Sequence, residues 1–262
     1  MKKSFMGSSN RILVGLVIVA LAITAVVFFD RTRTTTEDIP ATDTTTQDTD
    51  TTPTTPTTTD DEDKPSSTTP IKDKVVLSVP FTPQAPTANW DELHNEACEE
   101  ASVIMAAAYI GGNTSKTLSA DSVETQISKL TDYQTDEFGY YLSINTAETK
   151  QMAEDNYNVS ATIIKNFDED DLKRALSEGK PIILPVNGRL LENPNFKTPG
   201  PIYHMLVIIG YDEKGFITND PGTRAGRQYR YSYETLYDAT GEWQSNGHTT
   251  NTNIKQAIIV SK

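Results

Sequence analysis

A chain of 262 residues holds one large domain or two small ones, and its formal net charge of −13 argues against nucleic-acid phosphate or an anionic membrane surface as its main partner. A single cysteine excludes an intramolecular disulfide, so a folded part depends on its own core and one free thiol is left to explain.

In chain order, Lys2, Lys3 and Arg11 precede an unbroken apolar run over residues 12–29, the length at which a helix crosses the hydrocarbon core. The pattern predicts a short cytoplasmic tail (1–11) and a single transmembrane anchor (12–29), placing the remainder outside the cell membrane. A cleaved signal peptide is the rival reading, although its apolar region is usually shorter and residues 25–29 lack a small-x-small site. Residues 30–72 are dominated by Thr, Asp and Pro and hold few of the large apolar side chains that repay the entropy of folding, which predicts a disordered stalk.

The composition then changes, and residues 73–262 read as one folded domain. It opens on an apolar run, 75–81, that reads as a strand stopped by proline. Residues 96–110 (EACEEASVIMAAAYI) lack Gly and Pro, carry Ala97, Ala101, Ile104, Met105 and Ala108 at helical spacing, and end at Gly111-Gly112. Further helices are predicted at 119–130, 146–156 and 169–177, the last capped by Asp168. Strands are predicted at 160–164, 181–186, 203–211, 215–218 and 257–260. Helices first and strands later predict an α+β fold, with an N-terminal helical part packed on an antiparallel β-sheet. No phosphate loop or zinc-type cysteine pair occurs, so no cofactor, metal or nucleic acid is expected.

Cys98 falls in the first turn of the 96–110 helix, where unpaired N–H groups and the helix dipole favour a thiolate. A buried thiol acting as a small apolar side chain is the competing reading. His204 opens a strongly apolar strand, where an ionisable ring needs a partner, and Asp220 follows the next strand, one hairpin away. Asn219-Asp220-Pro221-Gly222 is equally an ordinary turn signal, and spacing alone does not choose between turn and orienting carboxylate. His94 lies in a polar segment expected to be a loop, and a metal there lacks evident further ligands. His248 sits in a polar stretch. Gln84, in a proline-rich loop, has the amide N–H that an oxyanion needs, a weak signal by itself. The polar stretches 187–199 and 241–253 suit either a cleft rim or plain surface loops.

Taken in order, VPFTPQAP, EACEEASVIMAAAYIGG, GKPIILPVNG and YHMLVIIGYDEKGFITNDPGTRAG resemble the bacterial C39-like peptidase family, a branch of the papain-like cysteine peptidases, over nearly all of residues 75–262. The resemblance implies a papain-like fold in which Cys98 is the nucleophile, His204 the base, Asp220 its orienter and Gln84 the oxyanion donor. It implies a thiol hydrolase acting on a peptide or cell-wall peptide; the alternative is a catalytically inactive module that binds peptide or wall polymer. Many relatives carry Gly after the cysteine, whereas this chain has Glu99 and Glu100. Carboxylates there oppose thiolate formation, and the effect is small if both face solvent.

Overall fold

The computed structural model describes residues 69–262. The predicted tail, the anchor and the stalk up to residue 68 lie outside the described residues. The last stretch of the expected stalk, 69–72, is bonded to the domain: Arg174 Nη1 donates to Thr69 O, Lys72 N donates to Ser177 Oγ, and Tyr211 Oη donates to Lys72 O.

The elements run β1 (Val75–Val76), α1 (Glu92–Asn95), α2 (Cys98–Ile110), α3 (Ala120–Phe138), α4 (Thr146–Asn156), β2 (Ser160–Lys165), α5 (Glu169–Ser177), β3 (Ile182–Val186), β4 (His204–Asp212), β5 (Gly215–Asn219), β6 (Tyr229–Tyr231), α6 (Tyr233–Ala239), β7 (Glu242–Gln244), β8 (Thr249–Asn251) and β9 (Gln256–Ser261). The fold is α+β on an antiparallel sheet. Its strands run β2-β9-β3-β4-β5-β6, β1 pairs with β4, and β7 and β8 form a separate hairpin.

β3 and β4 are apolar along nearly their whole length because both sheet faces are covered. Thr149 of α4 reaches Met205, whereas Leu184, the cross-strand partner of Leu206, faces a cavity walled by α5 and α6. Since Met205 and Leu206 project to opposite sides of the strand, α4 and the α5–α6 pair lie on opposite faces. α2 packs against β4 with α4 beside it on β2 and β9, and every α2 residue from Cys98 to Ala107 is buried, Glu99, Glu100 and Ser102 included.

Several predicted elements differ from those observed. The strand expected at 75–81 is shorter: Val75 and Val76 pair with β4, Leu77 N–H still donates to Ile209 O, and the chain then leaves the sheet until Phe81 bridges Thr117; β1 lies close on β4 at Gly210, where a Cβ would fall 2.1 Å from Val75 O. α3 runs eight residues past its predicted end to the left-handed Gly139, since Thr131 and Gln134 continue the buried face of Val123, Ile127 and Leu130. α1 replaces the expected loop, with Asp91 capping it by accepting the His94 N–H. β6, α6 and the β7–β8 hairpin were not predicted; they are short and largely polar.

Candidate active site

Cys98 is the first residue of α2, where the first N–H groups have no acceptor within the helix. His204 is the first residue of β4. The β4–β5 hairpin returns the chain so that Asp220, just past β5, reaches the ring: His204 Nε2 lies 2.8 Å from Asp220 Oδ1. A nitrogen facing a carboxylate carries the proton, which leaves Nδ1 as the acceptor of the neutral ring.

Asp220 is both the turn residue and the partner of the histidine. Its Oδ1 also accepts the Gly222 N–H, and its Oδ2 accepts Tyr231 Oη–H at 2.6 Å and Asn193 Nδ2–H at 3.4 Å. Complete burial pushes this carboxyl up, but the His204 charge and the bonds from His204, Tyr231 and Gly222 outweigh it and hold Asp220 below its ordinary range. Phe196 packs edge-on to the imidazole, with ring centroids 5.4 Å apart. A Cβ on Gly222 would come within 2.9 Å of both the His204 and Phe196 rings, so only glycine passes there.

The sulfur of Cys98 accepts the backbone N–H of Met205 at 3.4 Å, which sets it beside the peptide that follows His204. Its own proton points to Glu99 Oε2 at 2.9 Å, not to the imidazole. The expectation that the helix start lowers the thiol pKa is corrected here: burial, then the Glu99 charge, push it well above its ordinary value, with the Met205 N–H opposing. The solvent-facing placement that would have screened Glu99 and Glu100 does not occur either, since each is 1% exposed. α2 has no solvent face at its start, so both carboxyls turn inward, and burial raises both, Glu100 to about 7.

Gln84 is buried in the loop before α1, and its backbone N–H donates to Pro221 O, joining that loop to the Asp220 turn. Its side-chain nitrogen donates to His94 O at 2.8 Å and Asn95 O at 2.9 Å. The amide expected to face an oxyanion is therefore anchored on backbone carbonyls, and an oxyanion has to share or displace one of them.

Cys98, His204 and Gln84 line one cavity of about 730 Å³. Its walls include Trp90, Phe196, Tyr203 and Trp243, and its charged residues are Glu96, Lys197 and Arg224. The polar stretches that suited either a rim or plain loops thus contribute Asn195, Phe196, Lys197 and Trp243 to this wall. Asn193 and Tyr231, which hold Asp220 Oδ2, gave no sequence signal, because they meet it from positions 27 and 11 residues away. His94 stands between Asp91 and Glu124, and His248 is exposed beside Trp243.

Comparison with known proteins matches the Peptidase_C39 like family over residues 76–251. Among solved structures, one from Bacillus anthracis described as a C39-like peptidase is 18% identical, with a TM-score of 0.47 over 73% of this chain and 98% of that one. Procathepsin L 3 of the Tenebrio molitor larval midgut is 12% identical, with a TM-score of 0.35 over 76% of this chain and 73% of that one. Xylellain, a cysteine protease from Xylella fastidiosa, is 15% identical, with a TM-score of 0.33 over 74% and 87%. No curated protein sequence matches the chain. The family match spans most of the chain, from β1 to β8, and encloses Gln84, Cys98, His204 and Asp220; the chain belongs to the Peptidase_C39 like family of papain-like peptidases.

Proposed function

We propose that this protein is a thiol hydrolase that cleaves a peptide or amide bond through Cys98, His204 and Asp220. The observation that carries the reading is a histidine whose Nε2 is fixed on a buried carboxylate while its ring shares a cavity with the thiol. His204 Nδ1 takes the Cys98 proton, and the sulfur attacks the substrate carbonyl. The Cys98 N–H and the Gln84 amide, which shares one of its backbone bonds, hold the oxyanion, the imidazolium protonates the leaving amine, and water cleaves the thioester. Asp220 keeps the ring in the required tautomer. The thiol first turns from Glu99 to His204, which gives up one hydrogen bond worth no more than about 3 kcal/mol. On this reading the apolar run at 12–29 anchors the protein in a bacterial cell membrane, and residues 30–68 hold the domain outside it, within reach of wall peptides.

The thiol's bond to Glu99 favours a second reading, a catalytically inactive module that binds peptide or wall polymer. Incubating the purified protein with unfolded peptides and with peptidoglycan fragments, and weighing the products, separates the two. The hydrolase reading expects product masses shifted by one water, abolished by Cys98→Ala and lowered at least about 100-fold by His204→Ala. Ligand binding without products, unchanged in Cys98→Ala, refutes it.

A further inference from the structure

His94 takes no part in the chemistry above and does not line the cavity, yet its ring is 9% exposed and bonded at both nitrogens. Nδ1 lies 2.7 Å from Asp91 Oδ1, and Nε2 lies 2.8 Å from Glu124 Oε2. An ionised carboxylate only accepts, so the two bonds exist together only when both ring nitrogens carry protons. A neutral imidazole keeps one and loses the other.

The partners are themselves fixed. Asp91 Oδ1 caps α1 through the His94 N–H, and Asp91 Oδ2 accepts Asn89 Nδ2–H at 2.6 Å. Glu124, on α3, accepts Thr87 Oγ1–H at 2.7 Å, so one carboxylate grips both the loop that carries Gln84 and the ring. The carbonyl of His94, with that of Asn95, holds the Gln84 amide. The contacts run from α3 through the imidazolium to the Gln84 side chain, which lines the same cavity as Cys98.

We propose that His94 is a positioning residue: as an imidazolium clamped between Asp91 and Glu124 it fixes α1 on α3, and so fixes the two carbonyls that hold the Gln84 amide at the cavity shared with Cys98. The catalytic consequence rests on the thiol-hydrolase reading; the clamp does not. The charged groups facing the ring are Asp91, from the start of α1, and Glu124, from α3, while the Gln84 loop contributes the neutral Thr87. Burial pulls the ring down, but the two carboxylates outweigh it and raise His94 above 6.5. The clamp is then complete below that value and fails as pH rises through the raised one. Its carboxylates, held below 3.8 and 4.5, release it only in stronger acid.

The test is a nuclear magnetic resonance titration of the full chain, labelled at its three histidines and at glutamine, alone and as Glu124→Gln. Both ring nitrogens of His94 are expected to be protonated at pH 6, and the Gln84 side-chain amide signals are expected to move with the His94 midpoint. Glu124→Gln shifts both midpoints down together by about one unit, because one facing charge is gone. A neutral His94 ring at pH 6, or Gln84 signals that stay still while His94 titrates, overturns the proposal. In the hydrolysis assay, kcat at pH 7.5 should fall about tenfold in Glu124→Gln with KM little changed, part of the roughly 10²–10³ that a whole oxyanion donor is worth. Recovery near pH 5.5 is expected, and a pH-independent loss counts against the clamp. Absence of hydrolysis at any pH removes the hydrolase reading, and the resonance data still decide the clamp.

Discussion

At the residue scale, burial and then the Glu99 neighbour govern Cys98 more than its position at a helix start. The helix terminus favours a thiolate, but burial and the Glu99 carboxyl, whose Oε2 lies 2.9 Å from the sulfur, oppose one, and any charge on Glu99 acts there without screening by water. Glu99→Gln removes that charge and keeps the shape. Iodoacetamide should then label Cys98 at pH 7 faster than in the parent by about tenfold for each unit by which the thiol pKa falls. Equal rates would mean that Glu99 is already neutral there. The sequence of α2 held a signal for this burial: Val103, Ala106 and Ala107 fill the positions between the stripe of Ala97, Ala101, Ile104, Met105 and Ala108, leaving no polar side for Glu99 to join. The long-range partners of Asp220 and of His94 had no comparable signal. Glu124 meets His94 across 30 residues, and Asn193 meets Asp220 across 27.

At the element scale, local chemistry explains what was legible. Asp168 caps α5 as expected, accepting the Asp171 N–H at 3.0 Å, while Asp171 returns a bond to the Asp168 N–H. α5 in turn holds the start of the domain through Arg174 and Ser177. Asp168→Ala should therefore cost roughly 0.5–2 kcal/mol, read as a lower urea midpoint with an unchanged slope. Apolar periodicity located α2, α4, β2, β3, β4, β5 and β9 to within about two residues, within the ordinary uncertainty of element ends. It lost the second half of α3, whose inward residues Thr131 and Gln134 are polar and are accepted in the core because Gln134 bonds Glu100. α1, α6 and the β7–β8 hairpin are too short for periodicity to register, and packing on neighbours decides them.

At the scale of the whole molecule, the buried carboxyls beside the thiol couple the site to global stability. A carboxyl whose folded pKa is raised stabilises the fold fully below its ordinary value of 4.5 and loses that contribution as pH rises through the folded value, about 7 for Glu100. Unfolding free energy should decline between pH 5 and pH 8. In Glu100→Gln that decline should be smaller by on the order of a few kcal/mol, measured by urea titration at both values. Asp220 acts in the opposite sense, contributing above 3.8 and failing in acid.

The sequence by itself determined the α+β class, the helix that carries the cysteine in its first turn, and the histidine and aspartate flanking one hairpin, because each follows from short-range periodicity, capping or turn chemistry. Only the tertiary structure decided that β9 inserts between β2 and β3, that Glu99 and Glu100 face inward, and that Gln84 rests on the His94 and Asn95 carbonyls. The physical reason is distance along the chain. Met205 reaches the Cys98 sulfur across 107 residues, and neither propensity nor pattern carries information over such a span until the core has packed.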